Sequence, residues 1–515
     1  MLRRLITGAG WIAVGCCVCA AQDSAAAPQA EPNGVRAASP ADALETGRGL
    51  ELTIEAAMRI ALQNNLGLQI EELTTDVAYY DYRASYGAFD WLLNARAFVV
   101  DSETEAQDIF SETSRNTQGF ALDLAKPLTT GGTFRAQFDT TNTRTDSGLV
   151  DSNFRTNTND VLALTYTQPL WRGAWNRYAT STQRLFETVH RRQSERERQI
   201  SQQLLLAVGN AYWDLVSARE QSAVADSALE LARQQVDQNQ RRLDAGVGTE
   251  VEVLQAEAEV ATREEGKLLV DVRVRQAADL LKQLLFPGKD PTVWETMLVP
   301  RTALPETVGT SGVPAWTDAL SVAVEHRPEL SQQRLAIDEA RIRHQRTRSE
   351  KNPFLDLDLA ASSRGFDGDS SDAFDTAWQF DFPTYSAALN FNFPLGNTRG
   401  RYSEKAAWTE LRAARLAYDQ AESRIVEEVR EAVRQVAYQS EAVRAARKSL
   451  ELADRQLKAE QARYQEGLST TFQVLQFQQD YVASLSRERT TRVNYSKALV
   501  ALLAVQGILG AQLGQ

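Results

Sequence analysis

Arg242-Leu243-Asp244-Ala245-Gly246-Val247, followed by Val253-Leu254-Gln255, recurs 221 residues later as Arg463-Tyr464-Gln465-Glu466-Gly467-Leu468, followed by Val474-Leu475-Gln476. Each copy sets one glycine inside a long helical pattern. Glycine suits a reversal where a left-handed backbone is needed and a side chain would clash, so the repeat predicts two helical hairpins, turning at Gly246 and Gly467. Two further pairs match. Gln168-Pro169-Leu170 and Gly173 correspond to Phe393-Pro394-Leu395-Gly396 at a spacing of 225, and Ala57, Met58, Ile60, Ala61 and Leu68 correspond to Ala319, Leu320, Val322, Ala323 and Leu330 at 262. The chain therefore reads as two copies of one long unit, residues 51–286 and 315–510, with different insertions.

Outward from the turns, no proline lies between Leu170 and Phe286 or between Leu395 and Gln515, and the whole chain has only 14 prolines and 28 glycines in 515 residues. A mosaic of small β domains would need far more turn residues. Both tracts carry a heptad ridge: Val208, Leu215, Ser222, Leu229, Val236 and Leu243 in the first, Val429, Val436, Val443, Leu450, Leu457 and Tyr464 in the second. A seven-residue period of this length means coiled-coil-like packing. A helix over 176–245 would span roughly 105 Å, and helices over 53–88 and 250–286, placed end to end, would match it. Each unit is thus expected to be one long rod beside two stacked half-rods.

Between the rods, in 89–169 and 353–394, the period changes to two. Tyr385, Ala387, Leu389, Phe391 and Phe393 alternate with Ser386, Ala388, Asn390 and Asn392; Leu355, Leu357 and Leu359 alternate with Asp356 and Asp358; Leu162, Leu164 and Tyr166 alternate with Ala163 and Thr165. Strands of about ten residues with one apolar face fit a barrel wall between lipid and a wet lumen, although a half-buried soluble sheet has the same alternation. Aromatic residues at the strand ends (Phe89, Trp91, Trp171, Trp175, Phe354, Tyr385) are candidates for an interfacial girdle. Open strand edges are not tolerated in lipid, so four strands per chain require an oligomer, and three copies would close twelve. An additional hairpin, Phe120-Ala121-Leu122-Asp123-Leu124 with Phe134-Arg135-Ala136-Gln137-Phe138, is open to two placements, inside the barrel or outside it.

The formal net charge is −12, which argues against nucleic acid as a partner. Met1-Leu2-Arg3-Arg4, an apolar run from Leu5 to Val18 and the small residues Ala20 and Ala21 read as a cleavable export signal over 1–21. Lipoprotein processing with an anchor on Cys16 is the rival reading. Residues 22–50 are expected to be a disordered lead-in, and 511–515 a tail. His190, His326 and His344 are scattered, no phosphate loop or metal-spaced cluster occurs, and the adjacent Glu427 and Glu428 diverge by about 100° on a helix. The reading is therefore not an enzyme, with no cofactor and no metal.

Leu52-Thr53-Ile54-Glu55-Ala56-Ala57 with Ala61-Leu62-Gln63-Asn64-Asn65, the strand exits at Pro169 and Pro394, and the paired Gly246 and Gly467 turns followed by Val-Leu-Gln resemble the TolC family of outer-membrane efflux and secretion channels. The resemblance covers nearly all of the chain after the export signal. It implies a homotrimer, mainly α, in which a twelve-stranded transmembrane β-barrel continues as a twelve-helix periplasmic α-barrel. It also implies a belt from 287–314, a Gram-negative outer-membrane location, and partners in outer-membrane lipid, a periplasmic adaptor and an inner-membrane pump. Adaptor contacts would fall at the turns, on Arg242, Leu243, Gly246, Val247, Arg463, Tyr464, Gly467 and Leu468. Leu243, Tyr464, Val253, Leu254, Val474 and Leu475 read equally well as coiled-coil core.

Some members of the family it resembles constrict the entrance with aspartates shortly after the second turn, whereas this chain has Gln473 and Gln476 there and Glu252 and Gln255 after the first. These four are the gate candidates. Threefold symmetry could bring three Glu252 carboxylates into a cation-attracting ring; an ordinary solvated glutamate is the simpler reading. The function expected is a passive exit duct for small molecules or secreted polypeptides, opened by iris-like movement of the hairpins, with a pore-less secreted or periplasmic coiled-coil protein as the alternative.

Overall fold

Long stretches without proline allow helices far beyond the usual three or four turns. The computed structural model, which describes residues 49–105, 112–147, 155–305 and 314–510, contains two such helices. The expected export signal 1–21 with Cys16, nearly all of the lead-in, residues 306–313 of the belt and the tail lie outside the described residues.

In chain order the first unit runs β1 (Leu50–Leu52), α1 (Ile54–Asn64), α2 (Leu66–Ala84), β2 (Leu92–Glu103), β3 (Glu112–Pro127), β4 (Thr133–Ser147), β5 (Arg155–Pro169), α3 (Asn176–Ala179), α4 (Ser181–Asp244) and α5 (Glu250–Leu285). The second part runs α6 (Pro291–Glu295), β6 (Leu298–Pro300), α7 (Trp316–His326), α8 (Pro328–Glu350), β7 (Phe354–Asp367), α9 (Ser370–Trp378), β8 (Pro383–Asn392), α10 (Thr398–Gln465) and α11 (Thr471–Val505). The 64 residues of α4 and 68 of α10 make rods of about 96 and 102 Å. Along α4 lie α2 and, beyond it, α5; α8 and α11 lie between α4 and α10.

Three helices expected to be continuous are interrupted. Asn65 ends α1 with its own N–H on the Ala61 carbonyl and starts α2 by accepting the Leu68 N–H on its side chain at 3.2 Å, so one short polar residue caps both helices. Arg327 holds the equivalent place between α7 and α8, and Pro328 opens α8, where its missing N–H costs nothing. Thr180 separates α3 from α4 just after Trp175, whose φ is 67°.

The heptad ridge is buried along α10 at Val429, Val436, Val443, Leu457 and Tyr464, with Leu450 half-buried among them. On α4 it holds at Val208, Leu215 and Leu229, after which burial passes to Ala232, Gln235 and Asn239 while Val236 and Leu243 are half-buried. A straight α-helix drifts about 20° per heptad, which rotates the ridge away from its partner toward the tip.

At the waist β1 pairs in parallel with β6, Leu50 opposite Leu298. Leu50, Leu52, Met58, Leu205, Tyr212, Leu281, Leu298 and Leu304 share one core. The buried Tyr212 hydroxyl sits 3.1 Å from the Leu52 carbonyl and 2.9 Å from Thr302 Oγ1, and accepts the Thr302 N–H at 3.0 Å. Arg219 and Arg492 each donate to carbonyls of the same segment, at Leu298 (2.6 Å) and Leu304 (3.1 Å). Residues 298–305 thus tie α4 to α11 through these carbonyls.

The membrane-type strands form one antiparallel sheet of six in the order β2-β3-β4-β5-β7-β8. This corrects the count of four: the additional hairpin is β3 and β4, and it is hydrogen-bonded to β2 on one side and β5 on the other. The reason is register. Leu93, Leu124, Ala136, Leu164, Ala361 and Tyr385 stand directly opposite one another in turn across all six strands, and Ala95, Leu122, Phe138, Leu162 and Ser363 form the next row. The other face carries Asn94, Asp123, Gln137, Ala163, Ser362 and Thr384 in a matching row. Slipping the hairpin by one residue would exchange its apolar and polar faces.

Helix α9 lies across the far end of the apolar face, with Ala373 and Ala377 fully buried against the sheet and Phe374 edge-on to Phe138. Gly365 makes this possible, since a Cβ there would collide with the Ala373 carbonyl. Gly365→Ala is expected to lift α9 at a cost of about 1–3 kcal/mol. Limited proteolysis should then cut within 370–378 faster than in the parent while helical circular dichroism stays constant; equal cutting would contradict the packing.

Candidate functional site at the hairpin tips and the sheet rim

Each rod ends in the same way. The Gly246 N–H reaches the Leu243 carbonyl (2.9 Å) and the Val247 N–H reaches Arg242 (3.0 Å); Gly467 and Leu468 repeat this on Tyr464 (3.0 Å) and Arg463 (2.9 Å). Gly246 and Gly467 have φ of 75° and 76°, the left-handed helix stop that favours glycine. The expected clash is absent: a Cβ at either position meets nothing within 4 Å, so backbone conformation alone selects glycine there. The crowded position is Gly248, where a Cβ would lie 2.9 Å from the Leu243 nitrogen.

The returning helices begin with paired capping boxes that sequence reasoning missed, although the spacing Thr249 to Glu252 and Thr470 to Gln473 is a known signature of a helix start. Glu252 accepts the Thr249 N–H at 3.1 Å, and Gln473 accepts the Thr470 N–H at 3.3 Å and the Ser469 hydroxyl at 3.0 Å. Two of the four gate candidates thus have a local structural task. The other two, Gln255 and Gln476, are exposed.

Behind the turns a buried polar network ties all four tip helices together. The Tyr464 hydroxyl donates to Asn239 Oδ1 (2.8 Å) and lies 3.0 Å from Thr471 Oγ1; Asn239 donates to the Glu252 carbonyl (2.8 Å) and accepts from Gln235 (2.8 Å). Arg242 places its guanidinium 4.7 Å over the Tyr464 ring and donates to the Tyr464 carbonyl at 3.3 Å. Arg242, expected among outward contacts, and Tyr464, read equally as contact or core and found buried, therefore join the two hairpins to each other. Arg463 is exposed, bonded at 3.3 Å to Glu460, which also receives the Ser469 hydroxyl.

Val253 and Val474 are core, as the heptad arithmetic allowed, but Leu254 is exposed. With Val247, Val251, Leu468 and Phe472 it leaves an apolar surface at the tips of the single chain. Only Val247 and Leu468 of these were expected to face outward.

At the opposite end, Phe89, Trp91, Trp171, Trp175 and Phe354 gather where strands meet helices. Arg172 stacks 4.2 Å over Phe354, and Lys126 lies 5.4 Å from the Trp91 ring. Tyr385 does not belong to this rim; it stands opposite Ala361, inside the apolar face. Phe374, Trp378 and Phe382 expose rings at the far end instead. Among the described residues no helix is long and apolar enough to cross a membrane, and no cluster of three or more His, Cys, Asp or Glu could hold a metal.

A sheet with one apolar face and two aromatic rims, continued by paired helical hairpins, defines a channel-type architecture, and the sequence agrees. The chain belongs to the outer membrane efflux protein family, whose profile matches residues 139–285 and 319–508. It is 24% identical over 362 residues to the proteases secretion protein PrtF of Dickeya chrysanthemi, covering 68% of this chain and 73% of that protein. Its fold is similar to that of CusC (TM-score 0.65, 15% identity, 89% of this chain and 93% of that chain). It is likewise similar to the outer membrane protein VceC of Vibrio cholerae (TM-score 0.62, 15% identity, 88% and 96%).

Removing the Tyr464 hydroxyl takes a partner from buried Asn239, a loss of about 1–3 kcal/mol. In Tyr464→Phe, hydrogen exchange should accelerate at 235–245 and 464–474 and remain at parent rates around Tyr212. Unchanged exchange at the tips would show that the network does not hold them.

Proposed function

We propose that three copies of the chain form a passive duct through the outer membrane and the periplasm, fed by an inner-membrane pump through a periplasmic adaptor. The observation that carries this reading is a sheet with an apolar face six strands wide and both edges unpaired, running directly into the long helices. Such a sheet is untenable in lipid as a single chain. A second feature supports copies packing side by side: Leu66, Ile70, Leu73, Val77 and Tyr80 form an exposed stripe at alternating spacings of four and three on α2, as an unpartnered coiled-coil seam does.

The tips form the periplasmic entrance. Opening is an iris-like swing of the two hairpins, held shut by the Asn239–Tyr464–Thr471 network. The adaptor meets the exposed Val247, Leu468 and Phe472, with Leu243 and Arg463 beside them, and favours the open state by binding it better. Glu252 contributes a cation-attracting ring from the carboxylate that also caps α5. The similarity to a protease secretion protein supports polypeptide cargo.

The assembly is tested by Ile70→Glu with Leu73→Glu. Size analysis in detergent should show the parent as a trimer and the variant at least tenfold more dissociated, because each leucine-sized side chain removed from an interface forfeits about 1.5–3 kcal/mol. A water-soluble parent that needs no detergent would sink the duct and favour the coiled-coil alternative. Glu252→Gln keeps the cap in the form Gln473 already uses, so single-channel recordings should show weaker cation preference at unchanged thermal stability. Identical selectivity would remove Glu252 from the pore.

A further inference from the structure

The additional hairpin changes what the membrane wall must be. Strands β2 to β5, β7 and β8 alternate in direction, so β2 and β8, the two free edges, are antiparallel to each other. A rotation that sets β8 of one copy beside β2 of the next therefore continues the antiparallel ladder without a fault. An insertion of one strand would have broken this; an insertion of two preserves it. We propose that β3 and β4 are wall strands in every copy, so that the trimer closes an eighteen-stranded barrel whose bore passes cargo as wide as a polypeptide helical hairpin. The proposal rests on the trimeric duct above.

Three observations argue that the hairpin is wall and not an appendage. First, Leu124 and Ala136 of the hairpin stand in one row with Leu93, Leu164, Ala361 and Tyr385, Leu122 and Phe138 in one row with Ala95 and Leu162, and Phe134 in one row with Tyr166 and Leu359. A flap outside the barrel has no need for an apolar face at matching height. Second, strands of 16 and 15 residues match the 15 of β5, so the hairpin spans the sheet from end to end.

Third, its turn is built into the joint between sheet and helices. The Thr130 carbonyl accepts the Trp175 N–H at 2.9 Å and the Gln168 amide at 3.2 Å, while Thr130 Oγ1 donates to Gln168 Oε1 at 3.2 Å. Gly131, with φ of 88°, lies so close to Gly173 that a Cβ would come within 2.6 Å of its carbonyl oxygen. The turn is thus fixed to the segment that leads into α4.

The widths agree. Strands about 4.8 Å apart and tilted about 40° close twelve at a backbone radius of roughly 12 Å and eighteen at roughly 18 Å. Twelve helices, four from each copy, packed 8–10 Å apart make a ring of about 15–19 Å radius. Eighteen strands sit on that ring without narrowing, so the barrel does not limit cargo size. After about 5 Å of side chain the bore is about 25 Å across, room for two helices of 10–12 Å diameter.

The test uses the full chain in lipid nanodiscs. Imaging of the purified trimer by electron cryomicroscopy should count eighteen strands in cross-section; a trimer with twelve strands and the hairpin outside would overturn the proposal and leave the duct standing. Failure to isolate a trimer at all would overturn both, and the mass alone would show which had failed. Single-cysteine variants give an independent reading. A water-soluble maleimide should label Ala121→Cys, on the polar face, at least tenfold faster than Leu122→Cys, on the apolar face in lipid. Equal labelling would place the hairpin in water and overturn the assignment.

Discussion

Backbone hydrogen bonding at the sheet edges governs this molecule. A strand of twelve residues such as β2 offers a row of N–H and C=O groups on its free side, and hydrocarbon provides nothing to satisfy them. The remaining architecture follows from that requirement. In the proposed duct copies meet edge to edge, neighbouring rods are then brought flank to flank, and the stripe on α2 acquires something to pack against. The heptad seams keep the rods side by side over about 100 Å, so that in the proposed duct a demand made at the sheet is carried to the hairpin tips.

The two repeats share a plan and divide its tasks. Both close with a glycine turn and a Thr-based capping box, so both tips are built alike. Behind the turns the copies differ. Tyr464 replaces Leu243, and Glu460 stands where the first copy has Asn239. The second copy supplies the aromatic hydroxyl, the first supplies the amide that receives it, and only together do they satisfy one another in a buried setting. A buried amide left without its partner is costly. Divergence of the copies thus adds a buried polar link at the tips to the packing of α11 along α4.

Much of this was legible in the sequence, for identifiable reasons. The absence of proline and the seven-residue period report helix length and packing directly, because both act through the local chain. The alternation in 120–138 showed two strands but could not place them, since a period of two says which face a residue takes and not which strand lies beside it. The helix break at Asn65 escaped notice because no proline marks it. Val253 and Leu254 both admit a core reading; adjacent apolar residues on a helix leave the phase open, and packing selects Val253. Gln235 and Asn239 look like surface residues until the other repeat supplies Tyr464. The capping boxes were fully readable from Thr249, Glu252, Thr470 and Gln473.

Those caps bear on the order in which the molecule is made. A hairpin whose turn and helix start are satisfied by residues within about ten positions closes its contacts cheaply and early. The join between β5 and β7 brings together residues some two hundred positions apart, such as Leu164 and Ala361, and the β2 and β8 edges stay unpaired within the chain. Local contacts at the tips are therefore expected to form before the sheet is complete. If the edges pair between copies, as proposed, yield would depend on concentration as well as on stability.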